Sequence, residues 1–90
     1  INACGIDSYD NVAQKLIDSQ CDRVFVALHG SGGEDGVIQG LLQMLKIPFT
    51  GSNVAASALA MDKARAKLVM DGLRIPTPAF GVAKTLAQAE

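Results

Sequence analysis

Residues 24–47, VFVALHGSGGEDGVIQGLLQMLKI, constrain this chain more than any other stretch. The opening five residues, 24–28, are apolar throughout and β-branched at Val24 and Val26. A run that short and that apolar predicts a strand buried on both faces of a parallel sheet. The loop that follows, 29–36, holds four glycines, the only histidine (His29) and an adjacent acidic pair, Glu34 and Asp35. Glycine surrenders chain entropy and adds nothing to a core, so its concentration here points to a demand on the backbone. Beyond the loop, Ile38, Leu41, Leu42 and Leu45 recur at i, i+3, i+4 and i+7, the spacing of an amphipathic helix over 37–47.

The flanking segments extend this unit. Val12, Ala13, Leu16 and Ile17 fall on one helical face within 10–20, with Asp10 as the expected N-cap. Residues 48–51, PFTG, form a short extended piece that returns the chain beside the 24–28 strand. Helix, strand, helix, strand in that order argues an α/β fold with right-handed crossovers. From Ser52 the composition shifts: five alanines precede Arg65, and small residues let a helix pack close. A break is expected at Met61 and Asp62, with Asp62 capping the second half and Gly72 at the C-terminal cap. Ile75 and Thr77 each precede proline and so are extended. Residues 79–84 are expected as a further strand, and 85–90 as a helix with Thr85 at its N-cap.

Composition removes several classes of function. Eight basic and nine acidic residues leave a formal charge of −1, and the basic residues are scattered. Neither nucleic acid nor an anionic membrane finds an electrostatic footprint here. Four aromatic residues and no tryptophan make a poor base-stacking platform. Cys4 and Cys21 match no metal spacing; a single disulfide is one reading of the pair, and two free thiols in a reducing compartment is the blander one. Without a membrane-length apolar run or a signal-like start, the expected location is cytoplasmic. The chain opens on Ile1 and stops at Glu90 within a helical pattern, so it reads as a segment of something longer.

The glycine loop lies where a parallel strand ends and a helix begins, the edge at which open α/β sheets bind ligands. Free first-turn N–H groups and the helix dipole make that end tolerant of an anion. Two phosphate motifs fail: there is no Gly-Lys-Ser/Thr ending, and Gly30-x-Gly32-x-x-Asp35 lacks the third glycine of a dinucleotide fingerprint. Glu34 and Asp35 repel phosphate unless a cation intervenes; the blander reading of the pair is helix capping, with Asp35 or Gly36 as the cap. His29 is either a functional imidazole or a strand-end histidine bonded to neighbouring backbone. Lys63 and Lys67 share a helical face, with Arg65 turned away, which fits a solvated face as well as a phosphate contact.

Taken together, HGSGGEDGVIQG (29–40) and IPFTGSNVAASALAMDKARAKLVMDGLRIPTP (47–78) resemble the D-alanine–D-alanine ligase family of the ATP-grasp superfamily. The first stretch matches the family's His-Gly-x-x-Gly-Glu-Asp-Gly motif at every defined position. The second matches its Tyr/Phe-Thr-Gly-Ser turn and Ser-Ala-x-x-Met-Asp-Lys helix in register. The resemblance implies a parallel-sheet, Rossmann-like pre-ATP-grasp domain remainder over residues 1–51, and linking helices with the start of the ATP-grasp central domain over 52–90. It implies an enzyme that phosphorylates one D-alanine with ATP and lets the amine of a second displace phosphate, for peptidoglycan precursors. His29 and Glu34 would serve the substrate end of the site and Lys63 the ATP phosphates, while no metal ligand falls on this segment. Magnesium would be held by carboxylates and an asparagine beyond it, and a glycine-rich loop with a substrate-binding glutamate would precede it. The segment alone is therefore expected to be inactive, and the full-length protein a homodimer.

Two other readings compete. One is a non-catalytic α/β binding module; the other is a ligase relative that incorporates D-lactate. As an internal fragment, the chain would also expose an unpaired strand edge, which predicts a marginal or self-associating species in isolation.

Overall fold

The computed structural model describes residues 1–89, and its regular structure is almost entirely five helices. These are α1 (Val12–Ser19), α2 (Val37–Met44), α3 (Val54–Met61), α4 (Lys63–Gly72) and α5 (Leu86–Ala89). Of the expected parallel sheet, the described residues contain a single bridge, between Val24 and Phe49. Val24 donates to the Pro48 carbonyl at 2.9 Å and accepts from Thr50 at 3.1 Å, and the Val26 amide reaches Thr50 Oγ1 at 3.0 Å. The pairing direction is parallel, as the order of elements requires, but it extends no further.

The 24–28 segment is also not buried on both faces. Val24, Val26 and Leu28 turn toward the helices, whereas Ala27 is exposed and Phe25 is 79% exposed. An apolar run shows that both faces can be buried; it does not supply the second layer that would bury them. The core lies on the other side, where Leu16 of α1 meets Ile38 and Leu42 of α2, all below a tenth exposed. Val24, Val26, Leu28 and Phe49 pack against this cluster.

Helix ends depart from expectation in instructive ways. Asp10 does not cap α1; Asn11 takes the N-cap position in a left-handed conformation (φ 52°), with no side-chain capping bond. Helix α2 ends at Met44 instead of Ile47, because Lys46 turns left-handed (φ 58°). The Lys46 and Ile47 amides then close onto the carbonyls of Gln43 (3.1 Å) and Leu42 (3.0 Å), a Schellman cap without glycine. The same cap ends α4. Gly72 stays helical, Arg74 adopts φ 58°, and the amides of Arg74 and Ile75 reach Asp71 (3.0 Å) and Met70 (2.8 Å).

The break between α3 and α4 falls where expected. Asp62 leaves helical geometry (φ −90°, ψ 91°), and its Oδ1 accepts from the Arg65 amide at 3.0 Å. Residues 79–84 form no strand; this stretch is too exposed and unpartnered among the described residues for ladder bonds to form. Thr85 does cap α5, accepting from the Gln88 amide at 3.3 Å, while Glu90, assigned to the same helix, lies outside the described residues.

The whole is open. Its radius of gyration is 17.2 Å, against about 12 Å for a compact chain of this length. Its accessible surface is 7328 Å², against roughly 5,000 Å² for a compact monomer of this mass.

Candidate functional site

The glycine loop is held by its own acidic residues. Glu34 Oε2 accepts from the Gly30 amide at 2.8 Å; Asp35 Oδ2 accepts from the Gly32 amide at 2.9 Å and its Oδ1 from Val37 at 3.2 Å. The Gly30 carbonyl accepts from both Gly33 (3.2 Å) and Glu34 (2.9 Å), and the Ile38 amide reaches the Gly32 carbonyl at 3.2 Å. Donors that the spacing offered to an external anion are thus largely taken up inside the loop. Carboxylates of the loop's own acidic pair occupy the Gly30 and Gly32 amides, in keeping with the poor fit of that pair to simple phosphate cradling. Their charge explains the choice of partner, since carboxylates accept strongly from backbone N–H groups. The amides of Gly32 and Val37 hold the Asp35 carboxyl below the usual carboxylate range.

Two glycines are indispensable to this geometry. Gly36 is the N-cap of α2 at φ 98°, and a Cβ there would stand 3.0 Å from the Val54 carbonyl oxygen of α3. Gly33 has ordinary backbone angles but no room, because a Cβ would meet Leu28 Cβ at 2.6 Å and the His29 nitrogen at 2.9 Å. The loop therefore presses directly on the end of the 24–28 segment.

That contact places His29 on the rim of an open cleft of about 440 Å³. Tyr9 and Val12 line one side, Ser31 and Gly32 the loop side, and Ile38 and Leu41 the floor. The His29 side chain is exposed and makes no hydrogen bond among the described residues, so the strand-end histidine bonded to backbone is not what is observed. Glu34 belongs to the same loop, with its carboxylate turned back onto Gly30.

Lys63 occupies the first position of α4, directly after Asp62. Arg65 pairs with Asp62 at 2.6 Å, whereas Lys63 is exposed and makes no ion pair among the described residues. Lys67, on the same face, is committed elsewhere: its Nζ lies 3.4 Å from the Pro78 carbonyl oxygen and 5.7 Å from the Phe80 ring centre. The lysine pair is therefore divided, one anchoring the downstream chain and one free to meet a ligand. Among the described residues no cluster of histidine, cysteine and acidic groups could hold a metal ion, and both cysteines are free. The exposed Lys63 ammonium is a donor of the kind that a phosphate group accepts from.

Sequence reasoning passed over Gln39. It is 6% exposed, and its Nε2 donates to the Gly33 carbonyl at 2.8 Å. Periodicity gave no signal for it, since Gln39 is turned about 100° from Ile38 and about 60° from Leu42, beside the apolar stripe and not within it.

Comparison with known proteins agrees with this arrangement of motifs. A family model described as "D-ala D-ala ligase N-terminus" matches residues 5–52. The chain is 50% identical over all its 90 residues to a D-alanine–D-alanine ligase of Ectopseudomonas mendocina, covering 29% of that protein. It is 54% identical over 82 residues (91% of the chain) to D-alanine–D-alanine ligase B of Pseudomonas syringae pv. tomato, covering 26% of it. A third relative, the D-alanine–D-alanine ligase of Marinobacter nauticus, is 49% identical over 90 residues, all of this chain, with 28% of the relative covered. The chain thus spans under a third of the length of these relatives. With its family motifs in register and more than half its length matched, it belongs to the D-ala D-ala ligase N-terminus family.

Proposed function

We propose that this chain is part of an ATP-dependent ligase that joins two D-alanines through an acyl phosphate, for peptidoglycan precursors in the cytoplasm. The observation that carries the reading is identity near 50% along the whole chain to relatives named D-alanine–D-alanine ligase. In this reading residues 1–51 complete a substrate-side α/β domain, whose parallel sheet begins at the Val24–Phe49 bridge, and 52–90 open the ATP-grasp central domain. The match of the family model to residues 5–52 supports a division there. The intact enzyme acts as a homodimer, and this segment alone is inactive.

The chemistry follows from the poor electrophilicity of a carboxylate. Phosphorylation by ATP makes the first D-alanine an acyl phosphate; the amine of the second attacks its carbonyl, and phosphate leaves. What the protein adds is positioning and charge stabilisation. His29, on the rim of the cleft with its ring unengaged, is assigned to the D-alanine and phosphate end. Glu34 acts on the same site by closing the loop through Gly30. Lys63 is assigned to an ATP phosphate, which its exposed position at the head of α4 supports. Magnesium, when bound, neutralises phosphate charge; its ligands belong to other parts of the protein.

The test is phosphate release from ATP by the full-length protein with D-alanine, with L-alanine as control and D-lactate as an alternative second substrate. Release should require D-alanine and be absent from the 90-residue chain. Lys63→Ala should raise the KM for ATP at least tenfold in rough terms, as one charged phosphate contact is lost, with little change in melting temperature. His29→Ala should depress kcat without unfolding the protein. D-alanine-independent release, or normal ATP kinetics in Lys63→Ala, refutes the corresponding assignment.

A further inference from the structure

We infer that Gln39 is a positioning residue for His29, acting through Gly33; the functional half of this inference rests on reading His29 as a substrate-facing group. Three observations form a continuous path. Gln39 is buried in α2, at the flank of its apolar stripe, and its Nε2 donates to the Gly33 carbonyl at 2.8 Å. Gly33 in turn is packed without clearance against the Leu28–His29 peptide, with 2.6 Å and 2.9 Å separating its virtual Cβ from Leu28 Cβ and the His29 nitrogen. His29 itself is tethered by no side-chain bond among the described residues, so its place on the cleft rim is set by the backbone beneath it. Gln39 pulls the loop toward the helix at the point where the loop bears on that backbone.

The other end of the amide shows that core packing does not account for the residue. Gln39 Oε1 is buried and has no hydrogen-bond partner among the described residues. A buried carbonyl without a donor is destabilising, and an apolar side chain of the same length would avoid it. The bond to Gly33 is what glutamine supplies and methionine does not. No other described side chain reaches the Gly33 carbonyl; the carboxylates of Glu34 and Asp35 hold Gly30 and Gly32 instead.

The experiment uses the full-length protein with Gln39→Met, which keeps length and loses the donor, and Gln39→Glu, which turns an acceptor toward the Gly33 carbonyl. Amide exchange over residues 29–34, the His29 imidazole resonances (assigned with His29→Gln) and steady-state kinetics are read together. Gln39→Met should quicken exchange over 29–34 about fivefold, shift the imidazole resonances and raise the KM for D-alanine by a similar factor, with the KM for ATP unchanged. Gln39→Glu should do so more strongly. Unchanged exchange and resonances in Gln39→Met overturn the inference, as does a lowered melting temperature with normal kinetics per folded enzyme. Altered resonances with an unaltered KM overturn its functional half. Should methionine prevent folding, Gln39→Ala gives the same readouts. If the parent shows no D-alanine-dependent phosphate release, the ligase reading fails by itself, because exchange and resonances still report the path from Gln39 to His29.

Discussion

Replacing Gly33 with alanine tests the packing of the loop in a form that can fail. A methyl carbon built on Gly33 lies 2.6 Å from Leu28 Cβ, 2.9 Å from the His29 nitrogen and 3.0 Å from the Leu28 carbonyl carbon. Carbon atoms rest about 3.5–4.0 Å apart, so the loop must retreat by about 1 Å. None of the three neighbours is the far end of a flexible side chain, so none can swing away. The retreat stretches the 3.2 Å bond from the Gly33 amide to the Gly30 carbonyl and the 2.8 Å bond from Gln39. Overpacking costs about 1–3 kcal/mol, each lost bond about 1 kcal/mol, and the stiffer unfolded chain returns about 0.5 kcal/mol. The expected net loss is about 2.5–4.5 kcal/mol. Urea denaturation of the full-length protein reads it as a lowered midpoint at unchanged m-value. Gly40→Ala is the control of opposite sign: a methyl there meets nothing within 4 Å inside α2, and the gain is about 0.5–1 kcal/mol. A Gly33→Ala midpoint equal to the parent's would refute the argument.

Two further outcomes follow from charge and surface. Asp35 is held below its ordinary pKa chiefly by the Gly32 amide, and Asp62 chiefly by the Arg65 amide. A lowered folded pKa contributes stability that is fully present above the unfolded value of about 3.9 and is lost as pH falls through the folded value. The stability difference between the parent and an Asp35→Asn, Asp62→Asn double variant should stay constant above about pH 5 and narrow below about pH 4; a constant difference down to about pH 2 would contradict the assignment. The isolated 90-residue chain, with its 7328 Å² of surface and Phe25 79% exposed, should self-associate in sedimentation over a roughly hundredfold concentration range. A monomer with a sharp, concentration-independent melt would contradict this.

Much of this structure was legible from local chemistry. The apolar spacing of 37–47 located α2, the alanine-rich run followed by Asp62 located the break, and Thr85 marked the start of α5. These signals act within a few residues, and nothing distant overrides them. Failures arose where a local preference competed with tertiary geometry. Gly72 carries the residue type of a C-terminal cap, yet Lys46 and Arg74 accept the left-handed turn because two amide bonds at each helix end repay the strain. The 24–28 run showed its apolar character but not which neighbour would cover Phe25. In the site, the motif named His29, Glu34 and Lys63, but spacing could not show that the acidic pair would consume the loop's own amides. Gln39 was missed because it lies beside the apolar stripe of α2, where spacing alone gives no sign of burial.

The junction at Asp62 has a mechanical consequence. One residue closes α3 through its amide to Leu59 and opens α4 through its carboxylate, so the two helices share a hinge point. Lys63 is the next residue along, seated almost on the axis of that hinge. Helix α4 reaches about 15 Å from it, at 1.5 Å per residue. A swing of about 10° would carry its far end through roughly 2.6 Å while leaving Lys63 nearly stationary. The backbone at Lys63 is thus a fulcrum: in such a swing the chain beyond Gly72 travels while the first turn of α4 stays nearly in place.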